Sequence, residues 1–140
     1  MIDTRTAPYA ALLLRLSLGA LLLAHAGLKY FVFTPAGTEK FFASLGLPGW
    51  VGLLVMVAEI LCGLALILGL YIRVAAVLMA GDLLGAIFLV HIHNGFFFTN
   101  TGGGYEYPLF WAIALIVQAL LGEGAFAVTH LAPRPVKKAI

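Results

Sequence analysis

A chain of 140 residues that is 63% hydrophobic and only 10% charged, with a mean hydropathy of +1.07, carries more apolar surface than a soluble core of its size can hide and reads as a membrane protein. The apolar stretches run on without the alternation of barrel strands, which excludes a β-barrel. A net charge of +2, with few charges outside those stretches, argues against nucleic acid as a partner.

The runs predict an all-α membrane protein, one membrane-embedded domain over 1–140. It is a bundle of four transmembrane helices at about 9–33, 50–70, 74–93 and 107–122, with a short interfacial helix between the first two. Residues 1–8 are polar. The first run then holds Arg15, His25 and Lys29. Ala24-His25-Ala26 fits the cleavage pattern of a leader, but the run continues past Ala26 to spanning length, and basic residues punctuate it as in a functional helix. Prolines and glycines bound the next connection, where Phe41, Phe42 and Leu45 share one face of a helix lying in the interface.

Glu59 interrupts the second run, which also holds the lone Cys62, so no intrachain disulfide or CxxC centre is available. The third run carries Asp82 between Gly81 and Gly85, a G-x-x-x-G pair that would let another helix approach closely. Between the third and fourth runs lies HIHNGFFFTNTGGGYEY, His91–Tyr107, which gathers most of the chain's polar chemistry at a point where two helices surface. Its glycines lack the flanking strand and helix of a phosphate loop and read as turn. Pro108, with Glu106 just ahead of it, suits the start of the fourth helix.

Arg5, Arg73, Arg134, Lys137 and Lys138 fall on the side of the termini, against Lys40 in the opposite loops. This bias places both termini in the cytoplasm and the His91–Tyr107 mouth outside.

A charge at membrane depth costs a few kcal/mol, so Arg15, Glu59 and Asp82 should face the bundle interior. At about 1.5 Å of rise per residue, Arg15 and Asp82 reach similar heights and are expected to form a structural ion pair. Glu59 is nearest His25 in depth, with Lys29 as the other cation that could approach it. At about 100° per residue, His93 falls in register with Asp82 and His91 points the other way. A stripe of Arg15, His25 and Lys29 would therefore face Asp82 and His93, with Glu59 completing the polar interior.

The segments Arg15–Lys29 (RLSLGALLLAHAGLK), Ala58–Ile87 (AEILCGLALILGLYIRVAAVLMAGDLLGAI) and His91–Leu109, with its GGYEYP motif, resemble the DoxX family of small four-helix bacterial membrane proteins. The chain departs from the family pattern at Ala26, where glycine is usual, and at Tyr71-Ile72, where a threonine commonly stands. Neither change removes an ionisable group. The resemblance implies a bacterial inner-membrane, multi-pass bundle linked to redox chemistry, as a membrane subunit of an oxidoreductase system that handles quinone.

On that reading His25, Glu59 and His93 donate or relay protons, and Lys29 stabilises developing negative charge. Phe96, Phe97, Tyr105 and Glu106 are candidates to hold the cofactor at the mouth, with an aromatic belt as the competing reading of the rings. No side chain here carries electrons, so a soluble redox partner or bound cofactor must supply them. The alternatives are a haem or copper site on His25, His91 and His93, and a non-catalytic bundle that binds or passes a small solute or anchors a partner. His91 and His93, two residues apart, cannot share a helical face. The bilayer is the expected environment, and the bundle is expected to form a homo-oligomer or meet that redox partner.

Overall fold

The computed structural model describes residues 3–131, and these are helical with no strand among them. Helix α1 spans Ala7–Gly27, with proline in its first turn where the missing N–H has no intrahelical role. It continues through a π-helical turn, Leu28–Val32, as one apolar helix of 26 residues. The short α2 (Pro35–Ser44) comes next, then α3 (Trp50–Leu68) and α4 (Ile72–Ala86). α4 runs on through a second π turn, Ile87–His91, and a 3₁₀ turn, Ile92–Asn94, to a total of 23 residues. Helix α5 (Glu106–Leu121) and a 3₁₀ turn, Val128–Leu131, complete the described chain. The extended α1, α3 and the extended α4 are long and apolar enough to cross a membrane, whereas α5 is apolar but has 16 residues.

α3 stops at Leu68, short of the expected residue 70, because Gly69 takes a left-handed conformation (φ 79°). The amides of Gly69 and Leu70 both close onto the carbonyl of Ala65 at 2.9 Å. The helices pack in two pairs, α1 along α3 and α4 along α5, joined through the α3–α4 hairpin. Leu18, Leu22, Leu66, Ala76, Trp111 and Leu115 are packed at the centre. Leu13, Phe31, Phe110 and Leu120 are 69–81% exposed, an apolar exterior suited to lipid.

Close helix approach occurs at a place other than the G-x-x-x-G pair. A Cβ on Gly19 would lie 2.7 Å from the carbonyl oxygen of Gly63, so α1 and α3 cross through these two glycines. A Cβ on Gly81 or Gly85 meets nothing within 4 Å.

The expected Arg15–Asp82 ion pair does not form. Arg15 is 1% exposed and donates Nη1 to the carbonyls of Leu66 (2.9 Å) and Ile67 (2.5 Å), and Nη2 to that of Ala125 (2.9 Å). The last carbonyls of a helix have no intrahelical donors and carry its negative dipole end. They are therefore ready acceptors for a guanidinium at that height. The segment after α5 is held in the same place, with the Ala125 amide on the carbonyl of Pro8 at 2.9 Å. Of the residues behind the charge bias, Arg134, Lys137 and Lys138 lie outside the described ones.

Candidate functional site

At the end of the molecule opposite Arg15, the helices diverge around a cavity of about 930 Å³. Its walls are largely apolar, with rings from Phe33, Phe41, Phe42, Phe98, Tyr107 and Trp111, and it is also lined by His25, Lys29, Glu59, Asp82 and His91.

Lys29 and Glu59 form its charged centre. Nζ lies 2.7 Å from Oε1 and 2.9 Å from Oε2, and Glu59 is 4% exposed. A carboxylate at this depth needs such a partner. The partner comes from α1, as expected, but it is Lys29 and not His25. Lys29 stands in the first π turn, a feature that recurs at functional sites because the extra residue re-aims side chains. The turn closes from the Phe33 amide to the Leu28 carbonyl at 3.0 Å, and the Lys29 carbonyl accepts the hydroxyl of Thr38 at 3.2 Å. That bond ties α2 to α1 at the cavity edge. Thr34 supports it from an unusual left-handed position (φ 65°), accepting the Gly37 amide at 3.2 Å to cap α2.

The second π turn ends at His91 on the opposite wall. Its Nδ1 is 2.8 Å from the carbonyl of Gly103, and since a carbonyl only accepts, Nδ1 carries the hydrogen. Asn94 Nδ2 holds the carbonyls of Gly102 and Gly103 at 3.0 Å each. The triple glycine is a turn, as its composition indicates, and it also lines the cavity. Gly102 and Gly103 have φ of 83° and 74°, a region that disfavours side chains.

Several sequence expectations change places here. His91, not His93, lines the cavity with Asp82. A constant advance of about 100° per residue does not hold through a π turn, which turns by less, so the Ile87–His91 turn rotates the residues beyond it. Among the described residues no group of three or more His, Cys, Asp or Glu could hold a metal ion. His25, His91 and His93 therefore do not come together as a three-histidine metal site, and Nδ1 of His91 is committed to Gly103.

Phe96, Phe97 and Tyr105 pack on one another edge to face, with centroids 5.3 and 5.4 Å apart, outside the cavity lining. Glu106 sits in the first turn of α5, also outside it. The rings that do line the cavity include Trp111, whose spacing from Tyr107 puts the two on one helical face and was a legible signal. His25 meets Trp111 edge-on at 4.8 Å. The Trp111 indole N–H is buried without an acceptor among the described residues.

The DoxX family pattern matches residues 10–92, which include Arg15, His25, Lys29, Glu59, Asp82 and His91 but end before the GGYEYP segment. The chain is 32% identical over 117 residues to a protein of Bacillus subtilis (strain 168) named "Putative oxidoreductase CatD", an alignment covering 84% of this chain and 82% of that one. No solved structure matches. With more than half of its residues inside the family pattern and a relative aligned across most of its length, this membrane chain belongs to the DoxX family.

Proposed function

We propose that the protein is a membrane subunit of an oxidoreductase system that binds a quinone in the Lys29–Glu59 cavity. The observation that carries this reading is the cavity itself: about 930 Å³, walled by aromatic and aliphatic side chains, with an ion pair at its centre. A quinone ring needs an apolar slot and a hydrogen-bond donor for each carbonyl. Lys29 is a donor at hand, the Trp111 ring is part of the wall, and Glu59 and His25 are placed to relay protons. The two electrons come from a donor partner. The relative's name supports the redox setting.

In this reading α5, at about 1.5 Å per residue some 24 Å long, is a fourth crossing completed by its flanking turns, and α2 lies in the interface. The protein then sits in the bacterial inner membrane as a multi-pass bundle, both termini cytoplasmic and the cavity mouth on the periplasmic side.

The test uses Trp50→Phe, which removes one of the two tryptophans and leaves Trp111 as the reporter. Trp50 is 61% exposed and outside the cavity. Titration of the detergent-solubilised variant with a short-chain benzoquinone should quench Trp111 fluorescence saturably. Adding Gly85→Leu, at a lining position where a Cβ meets nothing within 4 Å, should fill the cavity and abolish saturation. Linear quenching of equal slope in both variants would overturn the quinone reading.

A further inference from the structure

Asp82 lies within electrostatic reach of Lys29 but is not bonded to it. It makes no hydrogen bond or ion pair among the described residues, and the guanidinium expected to hold it is bound to carbonyls at the other end of the molecule. It nevertheless lines the cavity from α4. The groups around it are His25 and Lys29 from α1, Glu59 and Cys62 from α3, His91 from its own helix and Tyr107 from α5. α2 contributes no titratable group to the lining. Lys29 is engaged by both oxygens of Glu59, and His91 by Gly103. The cavity thus holds one lysine against two carboxyls, and Asp82 is the one without a bonded partner. A carboxyl at membrane depth is costly unless something compensates it, and the fold supplies the nearby charge of Lys29, already held by Glu59, but nothing bonded to it. Its partner is therefore expected to be what enters the cavity. A quinone carbonyl can only accept, so a carboxyl meets it favourably only with a proton between them.

We propose that Asp82 is the carboxyl that contacts the bound ligand, and that the ligand binds together with one proton held between Asp82 and its acceptor oxygen. This rests on the quinone reading of the cavity. Asp82 then selects ligands with a carbonyl-type acceptor, while Glu59 remains the counter-ion of Lys29.

The experiment measures benzoquinone affinity by Trp111 quenching from pH 5.5 to 8.5, comparing Trp50→Phe alone with added Asp82→Asn or Asp82→Leu. In the parent, affinity should fall as pH rises, by up to tenfold per unit once the shared proton must be taken from solution. Asp82→Asn keeps an N–H donor and should bind with little pH dependence. Asp82→Leu should bind at least tenfold more weakly at the low-pH end. Because Asp82 bonds to nothing in the fold, both variants should melt at or above the parent temperature in detergent. A parent-like pH profile in Asp82→Asn, or a lowered melting temperature with the profile unchanged, would sink the proposal while leaving quinone binding intact. Affinity that rises with pH would mean that binding favours the deprotonated site, and would also overturn it. Absence of any saturable binding removes the quinone reading and this inference together.

Discussion

Arg15 shows how a buried cation is satisfied without an acid. Its two terminal nitrogens cover three carbonyls, two from the end of α3 and one from the segment after α5. Removing the guanidinium leaves the Ile67 and Ala125 carbonyls without this donor, while that of Leu66 keeps the Gly69 amide at 3.3 Å, at about 1–3 kcal/mol for each buried group left unpaired. Arg15→Leu should therefore lower stability by roughly 3 kcal/mol or more. Asp82→Leu should change stability equally with and without Arg15→Leu, which thermal melting in detergent checks; non-additivity of the two would restore the ion pair that the sequence suggested. Lys29 and Glu59 should behave in the opposite way. Their bonds of 2.7 and 2.9 Å make them one unit, so Lys29→Met and Glu59→Gln should couple by about 0.5–3 kcal/mol in a double-mutant cycle. Strict additivity of the two losses would show that each is held by something else.

At the scale of elements, the glycines sort by what they touch. The Gly19–Gly63 contact sets how closely α1 and α3 pack, and this in turn sets the distance Lys29 must reach to meet Glu59. Gly19→Ala should destabilise by about 1–3 kcal/mol, as overpacking does. Gly81→Ala, where the added methyl meets open space, should be neutral or stabilising by up to about 1 kcal/mol, since alanine is the better helix former. Equal effects at both positions would mean that close approach at Gly19 does not govern the pairing. The two π turns work in the same way, each placing one polar residue of the cavity, Lys29 or His91, at its wall.

Across the whole molecule the two ends do different work. At one end Arg15 gathers chain segments, and the Arg73 side chain lies against the Gly122 turn. The other end opens into the cavity beneath α2 and the Gly102–Gly104 turn. A reporter inserted at Gly103 should read external and one fused at the C-terminus cytoplasmic. The reverse pattern would put the cavity mouth on the cytoplasmic face and change which redox partners could reach it.

The sequence alone determined the class of molecule and the identity of its costly residues. Helix length, continuous hydropathy and the presence of Glu59, Asp82, His25 and Lys29 inside apolar runs are local properties, read without knowing any neighbour. The family resemblance rested on residues that the pattern at 10–92 largely contains. Which charge meets which was decided by tertiary structure. Depth fixes a residue's height and phase its face, but neither says which helix stands opposite. α1 packs along α3, so Lys29 reached Glu59, and the carbonyls ending α3 captured Arg15 before Asp82 could. The π turn ahead of His91 broke the constant rotation on which the register of His93 depended. A single inserted residue in a helical turn leaves no mark in hydropathy, yet it turned one histidine toward the cavity and left the other out.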